Sequence, residues 1–148
     1  MQNYLGFANS IKSQGVFYAP LADSRSSFVD TRDIAAVAVE ALTKSGHENK
    51  AYNITGPEAV SNYDIANILS KITGTKVTYV NVSDDDACKE MKENGMQEWT
   101  INALIELSNF QKAGKASIVS PDVERVTGRK PISFEQFAKD YSETFRSS

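Results

Sequence analysis

The chain has few of the residues that mark metal, disulfide or thiol sites. Its 148 residues include one cysteine, Cys88, and one histidine, His47. A single cysteine excludes an internal disulfide and gives no sign of an oxidising compartment, so we expect a cytoplasmic protein. A lone histidine in the polar turn at 45–50 is typical of a solvated residue. Because no second histidine or cysteine stands near it, we predict no metal site.

The chain also lacks a glycine-rich turn. A Rossmann-type dinucleotide site needs one between a strand and a helix, because only glycine lets the backbone approach the pyrophosphate. The eight glycines are scattered, at positions 6, 15, 46, 56, 74, 95, 114 and 128. None of the six tyrosines is followed by a lysine four residues later, so a Tyr-x-x-x-Lys pair is missing too. We therefore assign no catalytic residue.

No excess of one charge and no long apolar run are present. The chain has 16 basic and 19 acidic residues, a net charge of -3, without a long block of either sign. A nucleic-acid or polybasic membrane surface needs clustered basic residues, and a spanning helix needs about 20 apolar residues in a row. We expect neither a nucleic-acid nor a membrane partner, which leaves a small molecule or a protein as the default partner.

What is present predicts a mixed α/β domain. Ser61, Ser83 and Ser133 each stand three residues ahead of a carboxylate or amide, the pattern that starts a helix. Asp30 or Thr31 is placed to cap another helix. The spacing of the hydrophobic residues predicts the remaining helices and strands. The predicted helices are 1–13, 31–45, 62–73, 84–94, 99–112, a short one from 120, and 134–145; the predicted strands are 16–19, 28–29, 51–55 and 76–82.

Two groups of residues are candidates for a site. Residues 30–33, Asp-Thr-Arg-Asp, follow a predicted strand, which is where open α/β sheets bind ligands, and they offer a helix start, a hydroxyl and a guanidinium. The alternative is a capped helix with a surface ion pair. Met96, Trp99 and Phe110 offer an aromatic pocket, or alternatively pack in the core beside their helix.

Seven runs, taken in order, resemble a known family. They lie at 1–5, 15–18, 28–35, 46–52, 55–58, 74–79 and 122–129. In this order they resemble the carboxyl-terminal half of NmrA-like proteins, which are atypical short-chain dehydrogenases/reductases that bind NAD(P)H. Within that family the runs are most similar to the branch of type 2 NAD(P)H:quinone oxidoreductases and azoreductases.

The resemblance implies a fold and a domain organisation. The fold would be the carboxyl-terminal portion of a Rossmann-type NAD(P)-binding protein, with few strands and a helix-rich substrate lobe. The chain would be a single partial domain over 1–148, with a sheet-completing portion at 1–60 and the lobe at 61–148. The glycine-rich nucleotide-binding half would precede Met1. A truncated product and a stand-alone remnant both remain open.

The resemblance also implies site residues. By similarity, the cofactor-facing candidates are Gln2, Asn3, Val29 and Asp30, and the substrate-facing candidates are Tyr4, Phe28, Thr31 and Arg32.

The implied function is the substrate side of an NAD(P)H-dependent oxidoreductase acting on quinone-like acceptors. The complete protein would bind NADP or NAD, and we expect this chain alone to bind neither and to be inactive. The alternative is a redox-sensing regulatory or protein-interaction module without turnover. Because strands separated from their parent sheet expose open edges, we also expect a homo-oligomer.

Overall fold

The fold is described over residues 1–146 from a computed structural model. It confirms the α/β class, with few and short strands among many helices. Residues 147 and 148, which belong to the predicted 61–148 lobe, lie outside the described residues. The helices are a 3₁₀ helix at Gln2–Phe7, α1 at Ala8–Gln14, α2 at Thr31–Thr43, α3 at Asn62–Thr73, α4 at Asp84–Glu93, α5 at Glu98–Lys112, α6 at Asp122–Thr127, α7 at Phe134–Asp140 and α8 at Ser142–Phe145. The strands are β1 at Val16–Ala19, β2 at Arg25–Ser26, β3 at Val60–Ser61 and β4 at Thr78–Asn81.

The predicted helix starts are confirmed by their caps. The hydroxyls of Ser61, Ser83 and Ser133 each accept a hydrogen bond from the backbone amide three residues on, and so begin α3, α4 and α7. Asp64 completes a reciprocal capping box with Ser61. Asp30 caps α2 by accepting from the Arg32 amide. These boundaries depend only on residues close in sequence, which is why the pattern alone located them.

The strands form two short pairs. β1 and β4 are parallel, with Phe17 opposite Tyr79, and β2 and β3 are antiparallel, with Ser26 opposite Val60. The β1–β4 pair therefore joins the two predicted portions, 1–60 and 61–148, and β3 lies at the division between them.

Two strand predictions are wrong. Residues 51–55 join no strand ladder in the described chain, because the segment bonds to a helix start instead of a strand: the Asn53 amide donates to Asp122 Oδ2, at the beginning of α6, at 2.8 Å. Residues 28–29 are also outside any strand; the strand is β2, just before them. After β2 the Ser27 amide donates to the Ala116 carbonyl, 2.9 Å away, so the loop after α5 takes the bond that a strand would have taken.

Two helix predictions need correction. The helix expected at 134–145 breaks at Tyr141, where the chain turns so that Phe145 is buried near Phe137, with ring centroids 6.4 Å apart. The helix expected at 1–13 begins as a 3₁₀ helix, which holds Tyr4 in the core, and becomes α-helical only at Ala8.

The core is built around aromatic rings. Phe17, Phe134 and Phe137 are fully buried or nearly so, together with Ile65 and Leu69 from α3. Burying one such side chain contributes about 2 kcal/mol, so this cluster accounts for much of the stabilisation of the fold. It fixes the 3₁₀ helix, β1, α3 and α7 relative to one another. In the described part of the chain no helix is long and apolar enough to cross a bilayer.

Candidate functional site

The predicted run at 30–33 folds into a buried charge network at the start of α2. The Asp30 carboxylate is fully buried. Its Oδ1 accepts from the Arg32 amide at 2.9 Å and from Arg32 Nε at 3.0 Å, and its Oδ2 accepts from Arg32 Nη2 at 2.9 Å. Arg32 Nη1 donates to Asp140 Oδ2, 2.7 Å away. One guanidinium therefore connects the start of α2 to the end of α7.

The electrostatics of this network keep Asp30 ionised. Burial by itself raises the pKa of the Asp30 carboxyl, but the hydrogen bonds and charge of Arg32 outweigh burial and lower that pKa to about 2. Hydrogen bonds to Asp30 and Asp140 in turn raise the pKa of Arg32. In this arrangement the charges satisfy one another within the protein.

Asp33, one helical turn further along, is a second buried carboxylate. Its Oδ1 accepts from Arg129 Nη1 at 2.7 Å and its Oδ2 accepts from the Ile132 amide at 2.7 Å. The sequence placed Asp33 in the candidate run at 30–33, with a surface ion pair as the alternative. The partner is 96 positions away, so no local pattern indicates the contact.

Three other predicted residues lie beside this network. Gln2 Oε1 accepts from the Thr31 amide at 3.0 Å, and the Val29 carbonyl accepts from the amino group of Met1 at 2.6 Å. Gln2, Val29 and Thr31 are therefore grouped with Asp30.

The remaining predicted residues face a large cleft. Asn3, Tyr4 and Phe28 are among the residues lining a cavity of about 680 Å³ between the first elements of the chain and the α4–α5 hairpin. The rings of Tyr4 and Phe28 meet edge to face, with centroids 5.3 Å apart and planes at 89°. These two rings form an apolar floor.

Tyr4 is fixed in position and in protonation state. Its hydroxyl donates to Asn62 Oδ1 at 2.6 Å. Burial, with a smaller contribution from nearby Tyr79, raises the pKa of Tyr4 above its ordinary value. The phenol is therefore neutral at physiological pH and forms part of the apolar floor of the cleft.

The roof of the cleft, opposite this floor, is formed by the α4–α5 hairpin, which sequence reasoning did not identify. Met91, Leu104 and Leu107 line the cleft from this side. Of the predicted aromatic group, Met96 lines the cleft, whereas Trp99 is 70% exposed and points away from the core. The available signal was the number of apolar residues on α5, which exceeds what one buried face needs.

Gly56 connects the charge network to the cleft. Its amide donates to the Ser27 carbonyl at 3.2 Å, and a Cβ at this position would lie 2.0 Å from the Phe28 carbonyl oxygen. Only glycine allows this approach. The contact holds Phe28 on the cleft side while Asp30, two residues on, turns into the network.

The other chemically suggestive residues have structural partners. His47 Nδ1 lies 2.7 Å from the Tyr52 hydroxyl. Asp84, the first of three acidic residues opening α4, accepts from Lys112 Nζ at 2.7 Å. Over residues 1–146 no group of three or more histidine, cysteine or acidic side chains is positioned to hold a metal.

Comparison with known proteins gives the chain a family. The sequence profile of the NmrA-like family matches residues 1–139. The chain belongs to this family. NAD(P)H azoreductase from Xenophilus azovorans is 43% identical over 145 residues, which are 98% of this chain and 51% of that protein. Quinone oxidoreductase 2 of Escherichia coli is 31% identical over 103 residues, 70% of this chain and 36% of that protein.

Solved structures agree with the NmrA-like assignment. The NADPH-dependent quinone oxidoreductase from Escherichia coli superposes with a TM-score of 0.86 at 25% identity, over 95% of this chain and 51% of that one. Its complex with NADPH gives the same TM-score. The chain thus spans about half the length of the relatives that it matches.

One of these solved structures holds NADPH, but the residues described here do not fit the pyrophosphate of such a cofactor. Left-handed glycines such as Gly15, Gly74 and Gly128 end helices and do not open them. The start of α2, where an anion would bind, is already capped by the Asp30 carboxylate, which repels phosphate.

Proposed function

We propose that this chain is the carboxyl-terminal, substrate-side half of an NAD(P)H-dependent oxidoreductase that acts on quinone-like acceptors. The proposal draws on the 43% identity to an azoreductase, the fold shared with a quinone oxidoreductase, and the coverage of about half of each. On this proposal the cofactor is NADP or NAD, held by the half that precedes Met1. The isolated chain is then inactive.

The observation that carries the proposal is the cleft. Its volume of about 680 Å³ is in the range of pockets that enclose drug-sized ligands. Tyr4 and Phe28 provide an aromatic floor, and Leu104 and Leu107 provide an aliphatic roof. Among the lining residues of the described chain, Glu90 is the one charged side chain. Such a cleft suits a flat, uncharged ring system better than a phosphate.

The predicted site residues divide between two roles under this proposal. Asn3, Tyr4 and Phe28 contact the acceptor. Asp30 and Arg32 act as positioning residues, because their network sets the direction in which the chain leaves Phe28. The division into a sheet-completing portion at 1–60 and a substrate lobe at 61–148 remains part of the proposal, as do the cytoplasmic location and the homo-oligomer.

Binding of a quinone to the isolated chain tests the proposal. We expect 1,4-naphthoquinone, titrated by calorimetry, to bind with a Kd of about 10–100 µM. Leu107→Ser, in the cleft roof, should weaken binding by about fivefold or more. Ile118→Ser replaces another exposed apolar residue that does not line the cleft and should leave binding unchanged. Absence of binding, or equal loss in both variants, would contradict the cleft as the acceptor site.

The regulatory alternative predicts a different result. A sensor without turnover needs no acceptor, so the chain joined to a nucleotide-binding half would bind NADPH without oxidising it in the presence of naphthoquinone. Measuring NADPH absorbance at 340 nm in such a fusion separates the two functions.

A further inference from the structure

The inner lining of the cleft carries few polar side chains. Apart from Tyr4, the polar lining residues of the described chain that are buried or half-buried are Ser10, Asn62, Ser108 and Gln111. The other polar lining residues are exposed and remain in contact with water. An acceptor that enters the cleft loses hydrogen bonds to water, so the inner side chains determine which of its polar atoms regain a partner.

Tyr4 and Asn62 are engaged with the protein. The Tyr4 hydroxyl donates its hydrogen to Asn62 Oδ1 at 2.6 Å. Burial raises the pKa of Tyr79, and hydrogen bonds from the Leu21 amide and the Asn62 side chain oppose this increase. The Asn62 side chain is therefore directed at two tyrosines, and the Tyr4 hydroxyl has no hydrogen left for a ligand.

The two serines are engaged as well. Ser10 Oγ donates to the Phe7 carbonyl at 3.0 Å, and Ser108 Oγ donates to the Leu104 carbonyl at 2.9 Å. A hydroxyl group has a single hydrogen to donate. Neither serine can therefore donate to an acceptor in the cleft without giving up its bond to the backbone.

Gln111, near the end of α5, differs from these residues. Its Nε2 donates to Ser26 Oγ at 3.1 Å, and Ser26 is buried on β2, two residues before Phe28. A glutamine amide carries two N–H hydrogens, so this bond leaves one of them unused. Over residues 1–146 the second N–H has no protein partner. The bond to Ser26 thus holds a free donor in place at the cleft.

We propose that Gln111 is a specificity-determining residue that donates its second N–H to a carbonyl oxygen of the acceptor. This deepens the proposed function and rests on it for the identity of the ligand as a quinone. A quinone oxygen only accepts hydrogen bonds, and Gln111 supplies the donor that the other inner side chains lack. Because Ser26 already restrains the amide, less side-chain freedom is lost when the acceptor binds.

Three ligands of similar shape test this role on the chain as it stands. They are 1,4-naphthoquinone, whose oxygens only accept hydrogen bonds, naphthalene, which has no polar atom, and 1-naphthol, whose hydroxyl can donate. Calorimetric titration at pH 7 gives the Kd of each. A site with a fixed donor distinguishes the quinone from the hydrocarbon, whereas a purely apolar cleft distinguishes them much less.

Gln111→Glu is the decisive variant, because it keeps the shape of the side chain and removes both N–H hydrogens. The Ser26 hydroxyl can donate to the new carboxylate, so the contact with β2 is retained. We expect naphthoquinone to bind about tenfold more weakly and naphthalene to change by no more than about threefold. Binding of 1-naphthol should be kept or strengthened, since its hydroxyl can donate to the carboxylate.

Gln111→Met provides a second variant without a new charge. It also lacks the donor, and we expect naphthoquinone to bind about fivefold more weakly while naphthalene binds as before. The control is Asn109→Asp, which makes the same amide-to-carboxylate change on α5 at an exposed residue outside the cleft lining. It should leave all three Kd values within about twofold.

The possible failures can be told apart. If naphthoquinone binds the unchanged chain but both Gln111 variants keep that affinity, Gln111 is not the donor. Equal loss of all three ligands in those variants would show that Gln111 only supports the shape of the cleft, and would also contradict the proposal. If naphthoquinone does not bind the unchanged chain, the proposed function fails and the role of Gln111 fails with it.

Discussion

The cleft and the start of α2 lie two residues apart in sequence and are built in opposite ways. Phe28 contributes its ring to an open apolar cleft, whereas Asp30 is fully buried in a network of charges. In the cleft, the Tyr4 hydroxyl is bonded to Asn62, and the rings of Tyr4 and Phe28 present an apolar surface to a ligand. At the start of α2 the protein itself supplies both the negative charge, on Asp30, and the positive charge, on Arg32.

Because of this difference, we expect the cleft to serve ligand binding and the charge network to serve positioning of the backbone. A buried carboxylate held by its own arginine is costly to disturb, since either charge left alone would be desolvated without a partner. A cleft wall that remains exposed to solvent has little stabilisation to lose. Substitutions in the network should therefore change stability, and substitutions in the cleft should change ligand binding.

The largest effect is expected at Asp33. Asp33→Ala leaves Arg129 and the Ile132 amide without their buried acceptor, and we expect the free energy of unfolding to fall by about 3 kcal/mol. Chemical denaturation measures the change. Glu106→Ala, an exposed acid in the middle of α5, is the matched control and should stay within about 0.5 kcal/mol. Equal effects at the two positions would show that the network does not stabilise the fold.

Gly56 tests the connection between the two regions. Gly56→Ala places a Cβ against the Phe28 carbonyl, so the two segments must separate, at a cost of about 2 kcal/mol. Because Phe28 moves with its backbone, naphthoquinone binding should weaken in the same variant. Gly6→Ala meets no atom within 4 Å and should leave the melting temperature unchanged or slightly raised. A Gly56→Ala protein with normal stability and binding would break the proposed link.

Asp30 should show an intermediate effect that depends on pH. A helix cap alone would tolerate Asp30→Asn at a cost of a few tenths of a kcal/mol. Because this carboxylate is also buried against Arg32, we expect about 1–2 kcal/mol at pH 7. The exposed Asp85→Asn serves as control and should lose only a few tenths.

The pH dependence follows from the lowered pKa of Asp30. Its folded value of about 2 lies below the ordinary 3.8, so the carboxylate contributes stability that is present above about pH 4 and is lost as pH falls towards 2. Asp30→Asn should flatten this part of the stability curve, measured by urea denaturation between pH 2 and 7. An unchanged curve would mean that Asp30 is not held as an ion.

The smallest stability effect is expected in the cleft roof. Leu107 is about half exposed, so Leu107→Ser should change the free energy of unfolding by about 0.5 kcal/mol or less. The same variant should show the loss of naphthoquinone binding described above. A loss of stability as large as that of Asp30→Asn would place Leu107 in the core and remove the contrast between the two regions.

Local signals located most elements correctly, and long-range contacts explain the failures. Ser61, Ser83 and Ser133 cap helices through bonds to residues three positions away, so the sequence pattern was sufficient. Residues 51–55 have strand-like alternation, but a strand exists only where another strand pairs with it. The described chain provides none, and the prediction of a strand was therefore wrong.

The sequence by itself determined the α/β class, the helix starts and, through resemblance, the NmrA-like family. All three depend on residue order over short spans. Only the tertiary structure decided that Phe28 faces the cleft while Asp30 is buried, and that the α4–α5 hairpin forms the roof of the cleft. Those assignments depend on contacts between residues that are distant in sequence, such as Arg32 with Asp140, 108 positions apart. Packing brings such residues together, and no local sequence pattern indicates these contacts.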